Sequence, residues 1–472
     1  HSFPTRRSFD LAAQSARAAE TPPNIVYIMA DDLGYADLSC YGRRDFQTPN
    51  IDRLAAQGMR FTQAYANSAV CSATRTALIT GRYQYRLRVG LEEPIRGNNG
   101  LSPTIPTLPS LLKKVGYGTT LIGKWHLGPL PDHGPLQSGY DHFWGFRGGS
   151  VDYYTYKPGP GAMPDLWDGD MPINEHGYLT DLLGNHAISS INSYAKSRTP
   201  FFISLHFNAP HWPWESPDDE AGSRQRYDAK GIASYEEGTQ KIYASMVTRM
   251  DATVGRVLKA LETNGVAGNT IVIFTSDNGG ERFSDTWPFT GKKTELLEGG
   301  IRIPAIIRWP GRVRPRTTTA QVGISMDWLP TLLAAAGGKS DPGYPPDGVN
   351  LLPQLTQNTA PVPRKLYWRF RSRGQRAMRD GDLKYLKIED NTYLFNVVDD
   401  PLERANLKNK QGAAFQRMEA DYEAWNATML PLDASLNSDE YTAAQLADHF
   451  PASSTAPQGG VAGKNKGKGK KQ

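Results

Sequence analysis

Two short clusters of acidic and amide side chains could hold a hard cation. Asp31 and Asp32 close the run NIVYIMADD, and Asp277 with Asn278 stands near the end of TIVIFTSDNGG. Three carboxylates and an amide supply the oxygen donors that suit Ca²⁺ or Mg²⁺ and not a soft metal. Either pair alone reads better as a strand-end turn capping a helix. Together, at strand ends of one sheet, the metal reading is favoured. Lys124 and His126 lie two apart in GTTLIGKWH, so on a strand both side chains leave on one side while Trp125 points into packing. Such a pair suits an anion clamp beside a proton carrier. His211 lies in NAPHWPW, in a loop stiffened by Pro210 and Pro213. A lone loop histidine is more often structural, and Trp212 and Trp214 read as packing. Lys292 and Lys293, ahead of Glu298-Gly299-Gly300, read by themselves as lysines facing water.

Cys71 opens the segment CSATRTALITGR and is one of two cysteines, Cys40 being the other. Two cysteines are too few for a disulfide framework, and their spacing is not that of a zinc site. Ser72 and Thr74 favour a helix start, and Arg75 four residues on shares a helix face with Cys71. Helix-terminal amides and Arg75 are expected to make a positive field that binds anions and lowers a thiol pKa. Sulfur is nonetheless a poor ligand for a hard cation, so the site makes better sense with the cysteine converted to an oxygen-bearing group. For Cys71 taken alone, a buried helix-start cysteine is the better reading.

The elements that must carry these residues can be read from the apolar pattern. Runs at 24–32, 118–126, 201–211 and 270–280 are short, apolar and rich in β-branched residues, as buried strands are. Helical patterns lie at 48–58, 108–116 and 243–265, the last closing on Asn264-Gly265. Alternating strands and helices predict an α/β fold with a large, mostly parallel sheet covered by helices on both faces. Ligands of such sheets sit beyond the carboxyl ends of the strands, where all four polar clusters fall. Beyond about residue 350, KLYWRFRSRGQRAMRDGDLKYLKI and TYLFNVVDDP predict antiparallel strands with turns at Asp380-Gly381 and Asp399-Asp400-Pro401, then a helix over roughly 410–429. The expected division is a leader at 1–23, a catalytic domain at 24–350, a smaller α+β domain at 351–451 and a disordered basic tail at 452–472.

Fifty-three basic and 48 acidic residues give a net charge of +5, and Lys464, Lys466, Lys468, Lys470 and Lys471 supply all of the excess. The remaining chain is near neutral, which argues against a nucleic-acid binder. No apolar run approaches the ~18 residues of a membrane span. The leader carries Arg6-Arg7-Ser8-Phe9, faintly like a twin-arginine signal, without the apolar stretch such signals need.

Taken in order, NIVYIMADDLGYADLSCYG, TPNIDRLAAQGMRFTQAYA, CSATRTALITGR, GKWHLG, APHWP, SDNGG and KTELLEGGIRIP resemble the formylglycine-dependent sulfatases, arylsulfatase-like enzymes of the alkaline phosphatase superfamily. AMRDGDLKYL and YLFNVVDDPLERANL resemble that family's C-terminal domain. The resemblance implies an alkaline phosphatase-like fold and hydrolysis of a sulfate monoester, aryl or carbohydrate, through a sulfated formylglycine-hydrate intermediate. It implies that Cys71 is oxidised to formylglycine and joins Asp31, Asp32, Asp277 and Asn278 around Ca²⁺. It implies that Arg75, Lys124, His126, His211 and Lys293 surround the sulfate, with Lys293 matching better than Lys292 and Ser150 matching only loosely. His211 would protonate the departing alcohol, and His126 would deprotonate the second hydroxyl. Ala73 stands where the family signature usually has proline, which leaves open whether a formylglycine-generating enzyme or an anaerobic sulfatase maturase acts on it. A periplasmic or secreted location follows by the same resemblance.

Rival readings are a phosphonate monoester or phosphodiester hydrolase of the same fold, and a non-catalytic binder of sulfated glycans in which Cys71 stays unmodified. A two-zinc phosphatase fits less well, because it would use histidine ligands where Asp277-Asn278 stands. The Gly-, Pro- and aromatic-rich stretch from Gly148 to Tyr178 is expected to form a specificity loop beside the crevice. Arg369, Arg371 and Arg373 alternate on an expected strand, where they would reach a second acidic group on a glycan or face solvent.

Overall fold

The structure, a computed structural model, describes residues 21–159, 161–230, 238–357, 359–436 and 438. The first twenty residues of the expected leader, and the expected tail, lie outside the described residues. The apolar runs become strands because their alternate side chains can be buried on both faces of one sheet. In chain order the strands are β1 Asn24–Ala30, β2 Met59–Phe61, β3 Ala64–Tyr65, β4 Gly118–Lys124, β5 His142–Phe146, β6 Trp167–Asp168, β7 Met171–Pro172, β8 Phe201–His206, β9 Thr270–Ser276, β10 Ala305–Arg308, β11 Thr317–Thr319, β12 Gly323–Ile324, β13 Lys365–Phe370, β14 Gln375–Asp380, β15 Leu383–Ile388 and β16 Asn391–Asn396. The helices are α1 Pro49–Ala56, α2 Cys71–Thr80, α3 Leu108–Lys113, α4 Leu179–Ser197, α5 Glu220–Lys230, α6 Gln240–Thr263, α7 Glu298–Ile301, α8 Trp328–Ala335, α9 Leu352–Thr356 and α10 Gly412–Asn426.

Ten strands form the main sheet in the order β11-β2-β10-β9-β1-β8-β4-β5-β6-β7, and its centre, β9-β1-β8-β4-β5, is parallel. Val26, Ile28, Ile203, Leu205, Val272 and Phe274 face the core shared with α4 and α6. Their neighbours Ile25, Tyr27, Phe202, Ile271 and Ile273 face the opposite core with α3 and α8. α6 fits its face through Tyr243, Met246, Val247, Met250, Val254, Val257, Leu258 and Leu261 at helical spacing. The Thr239 side chain accepts the Ile242 amide at its start, and Gly265 at φ +68° follows its end.

Register brings the chemical residues together. β1 and β9 pair from Asn24↔Thr270 to Ala30↔Ser276, so Asp31 and Asp277 emerge side by side. β4 runs parallel to β8, with Gly123 opposite His206, which places Lys124 at the same sheet edge.

β13-β14-β15-β16 form a separate antiparallel sheet, its β14–β15 turn made by Gly381 at φ +60°. α10 covers one face, packing Phe415, Met418 and Tyr422 on Met378, Tyr385 and Leu394. The other face joins the main body, where Trp368 and Leu366 pack with Tyr65, Ala73 and Ala77. The three arginines do not alternate on a strand as expected. Arg369 is buried on β13 against Asn426 and the Leu430 carbonyl, Arg371 binds the Asp433 and Ala434 carbonyls, and Arg373 at φ +58° pairs with Glu389. Among the described residues, no helix is long and apolar enough to cross a membrane.

Candidate active site

α2 begins at Cys71 and is buried along its whole length. Ser72 and Thr74 do not cap it, contrary to expectation. The Ser72 hydroxyl accepts the Ile95 amide at 2.9 Å, and Thr74 Oγ1 accepts the Ser68 amide at 3.0 Å while donating to the Ser68 carbonyl at 3.1 Å. Both hydroxyls therefore tie the flanking loops to the helix. Arg75, one turn on, donates from Nε at 3.1 Å and Nη2 at 2.8 Å to Asp277 Oδ2, and from Nη1 at 3.1 Å to the Lys124 carbonyl.

Each cation here has a carboxylate partner. Lys124 Nζ lies 2.5 Å from Asp31 Oδ2, and Lys293 Nζ lies 2.7 Å from Asp32 Oδ2. Asn278 Nδ2 donates to Asp32 Oδ1 at 2.7 Å. Asp32 at φ +62° and His126 at φ +56° hold left-handed backbone conformations that cost energy for a residue with a Cβ. The fold holds both in place.

Two buried oxygens in this group, Asp31 Oδ1 and Asn278 Oδ1, have no hydrogen-bond partner. Ligand atoms of Asp31, Cys71 and Asp277 lie within 4.8 Å of one another, as do those of Asp31, Asp32 and His211. Burial and the neighbouring Asp277 push the Asp31 carboxyl well above its usual range, so its ionised form would gain from a further cation. Orphaned hard oxygens among three carboxylates fit Ca²⁺. Burial also acts to raise Asp32, but Lys293, His211 and Lys124 outweigh it and hold that carboxyl down at about 2.

Cys71 Sγ lies 3.2 Å from His126 Nδ1. The Ile95 backbone also hydrogen-bonds the ring, and in the tautomer that carries its proton on Nε2 the Nδ1 atom accepts on the side of Cys71. His211 Nδ1 bonds the Trp212 carbonyl at 2.5 Å, so Nε2 accepts from Lys293 Nζ at 3.3 Å and lies 3.5 Å from Asp32 Oδ2. Burial, then nearby lysine charge, keeps both histidines neutral at pH 7. The expected lowering of the thiol pKa does not occur. Burial raises Cys71 to about 11 despite Lys124 and Lys293, so residue 71 as a thiol would be a poor nucleophile.

Ten expected residues thus converge: Asp31, Asp32, Cys71, Arg75, Lys124, His126, His211, Asp277, Asn278 and Lys293. Lys292 lies one residue away, its amide bonded to the Glu295 carboxylate. Ser150 is half-buried and follows Gly149, whose α-carbon packs on the His126 ring. Trp214 is buried against Phe283, and Trp125 is buried with its indole N–H on the His133 carbonyl, both packing as expected. Sequence reasoning missed His206, the nearer histidine of FFISLHFNAPH. Its Nδ1 lies 3.2 Å from the Lys124 carbonyl, and its unpartnered Nε2 and the unpartnered Tyr27 hydroxyl belong to residues that line, with Arg75, a small cavity of about 20 Å³. Arg147 was missed as well, because nothing local in GFRGGS marks it as buried.

The family model Sulfatase matches residues 23–338. N-acetylgalactosamine-6-sulfatase of Rattus norvegicus is 34% identical over 369 residues, covering 72% of this chain and 67% of that protein. The chain belongs to the sulfatase family. Its fold is that of the alkaline phosphatase superfamily, and it is a sulfuric ester hydrolase. The solved structure of Ps i-CgsB superposes on this sulfatase with a TM-score of 0.80 at 30% identity, covering 89% of this chain and 95% of that one. That protein has also been solved in complex with k-i-k-neocarrahexaose. The phosphonate monoester hydrolase of Agrobacterium radiobacter has a TM-score of 0.61 at 22% identity, covering 86% of this chain and 95% of that one, a likeness of fold alone.

Proposed function

We propose that this sulfatase removes sulfate from a carbohydrate ester, using Ca²⁺ and a formylglycine made from Cys71. Asp31, Asp32, Asp277, Asn278 and residue 71 would hold the ion. Bound Ca²⁺ would supply Lewis acidity, and the aldehyde hydrate would supply an oxygen nucleophile in place of sulfur. His126, with Nδ1 free to accept 3.2 Å from residue 71, takes a proton there. His211 and Lys293, paired at 3.3 Å, deliver the proton that the departing alcohol oxygen needs. Arg75, Lys124 and Lys293 orient the carboxylates and offset charge that builds on the sulfate oxygens. Ser150 borders the site as a weaker substrate contact.

A carbohydrate substrate is supported by the relative named for N-acetylgalactosamine 6-sulfate and by the neighbour solved with an oligosaccharide. Maturation by a formylglycine-generating enzyme or an anaerobic sulfatase maturase, a periplasmic or secreted location, and division into domains at 24–350 and 351–451 belong to the same reading.

The observation that carries it is the pair of orphaned oxygens, Asp31 Oδ1 and Asn278 Oδ1, in the cluster that includes Cys71. Mass analysis of the tryptic peptide beginning at Phe61, from protein made with a maturase, should show aldehyde in place of thiol. Cys71→Ala should abolish hydrolysis of 4-nitrophenyl sulfate. Thiol alone in active enzyme, or full activity of the variant, refutes the nucleophile.

A further inference from the structure

A cavity of about 520 Å³, open to solvent, reaches the reacting centre at His126 and is walled also by Arg96, Arg147, Gly149, Asp165 and Trp167. Its volume is that of a small-molecule site, roughly 300–1,000 Å³. The small cavity that Arg75 lines also touches the centre, but at about 20 Å³ it admits a water and no substrate group.

The wall beside His126 is built to be rigid. The amides of Arg147 and Gly148 donate to Asp165 Oδ2 at 3.1 and 2.7 Å, and the Trp167 indole N–H donates to Asp165 Oδ1 at 2.6 Å. The His126 amide donates to the Arg147 carbonyl at 3.1 Å. A Cβ on Gly149 would lie 2.7 Å from His126 Cε1, so this loop can lie against the ring only as glycine.

Arg147 is the unusual member of that wall. It is 8% exposed, and its guanidinium carbon lies 3.9 Å from the centre of the Trp167 indole. Nη2 donates to the Gly169 carbonyl at 3.0 Å and to Asp170 Oδ1 at 3.1 Å, while buried Nε has no partner. Nη1 bonds none of the described residues and is the guanidinium edge left for an acceptor in the cavity that Arg147 lines. Arg75, Lys124 and Lys293 are paired with carboxylates of the centre and Arg147 with Asp170, and of these four cations Arg147 is the one that lines this cavity with His126.

We infer that Arg147 determines substrate specificity by hydrogen-bonding a second acidic group, either a further sulfate on the sugar whose sulfate is cleaved or the carboxylate of the sugar joined to it, with this cavity as the seat of that group. The inference rests on the sulfate-ester reading above and extends it to a substrate class, acidic saccharides.

The test uses matured enzyme on four substrates: 4-nitrophenyl sulfate, N-acetylgalactosamine 6-sulfate, its 4,6-disulfate, and a disaccharide joining the 6-sulfated sugar to a uronic acid. kcat/KM for one acid-bearing sugar should exceed that for the 6-sulfate by about 10- to 100-fold, the range of a hydrogen bond to a charged group. The disulfate and uronide arms identify which acid is read. Arg147→Met should bring the ratio to within about threefold of one, and Arg147→Lys should keep part of it, because a point charge replaces a fork. A wild-type ratio near one, or an equal fall on all sugars in Arg147→Met, overturns the inference. Turnover of 4-nitrophenyl sulfate and of no sugar overturns it too while leaving the sulfatase reading intact. Failure on all four esters counts against the proposed chemistry. Calorimetric binding of the three sugars to Cys71→Ala protein, with and without Arg147→Met, then decides the inference: a preference for the acidic sugar that Arg147→Met removes sustains it, and equal affinities overturn it.

Discussion

Lys384 of β15 offers the sharpest test of how the smaller sheet supports the active site. It is fully buried, with Nζ 3.0 Å from Glu298 Oε1 and 2.9 Å from Glu403 Oε1. Glu298 also takes Arg302 at 3.1 Å and the Tyr65 hydroxyl at 2.6 Å, while its amide donates to Glu403 Oε2 at 2.7 Å. Burial raises both carboxyls, but Lys384, Arg302 and Arg379 together hold Glu298 down, whereas Lys384 alone leaves Glu403 raised. Lys384→Met would leave Glu403 without a cation. Breaking one partner of a buried pair costs about 3–5 kcal/mol. An unfolding entropy of roughly 2.1 cal/mol/K per residue turns this into a fall in Tm of about 3–5 °C for a chain of this size.

The consequence should reach the active site, because the same cluster anchors the loop that carries Lys293. Gln375 of the smaller sheet accepts the Leu296 amide and donates to the Thr294 carbonyl, both at 2.8 Å. Calorimetry at pH 7.5 on Lys384→Met, Glu403→Gln and the double variant measures the coupling. In the double variant most of the loss should return, since Glu298 keeps Arg302 and Tyr65. A single variant within about 1 °C of wild type, or a double variant as unstable as Lys384→Met, would refute the reasoning.

Chelation should remove activity on 4-nitrophenyl sulfate and added Ca²⁺ should restore it; restoration by Zn²⁺ alone would reject the hard-cation site. His211→Ala should cost about 10²- to 10⁴-fold in kcat on a sugar sulfate and markedly less on 4-nitrophenyl sulfate, whose leaving group needs little protonation, so an equal loss on both would remove His211 from acid duty. Glu93 is raised to about 8 by burial, against the pull of the Arg371 amide and Arg369. The folded protein therefore holds a proton there that the unfolded chain releases at its ordinary carboxyl pKa. Stability from this group is full below that ordinary pKa and declines as pH rises towards about 8. Scanning calorimetry across that window should show a flatter pH dependence for Glu93→Gln; an unchanged slope assigns it to other groups.

The amino-acid sequence is enough to place the parallel centre of the sheet and its polar ends. Each apolar run closes on its own Asp, Lys or His, and side-chain alternation is a local property. It likewise marked Cys71 with Arg75 one helical turn on. It did not determine that Lys124 pairs with Asp31 and Lys293 with Asp32, since those contacts span 93 and 261 residues and depend on register and loop closure. The thiol pKa was misjudged for a related reason: helix position is visible locally, whereas the depth of burial that outweighs it is summed over the whole fold. Ser72 and Thr74 had the composition of a helix start, and tertiary neighbours Ile95 and Ser68 claimed their hydroxyls. Arg147 and Gly149 became legible only in three dimensions, because a buried unpartnered N–H and a Cβ-sized gap against His126 are properties of packing and not of residue type.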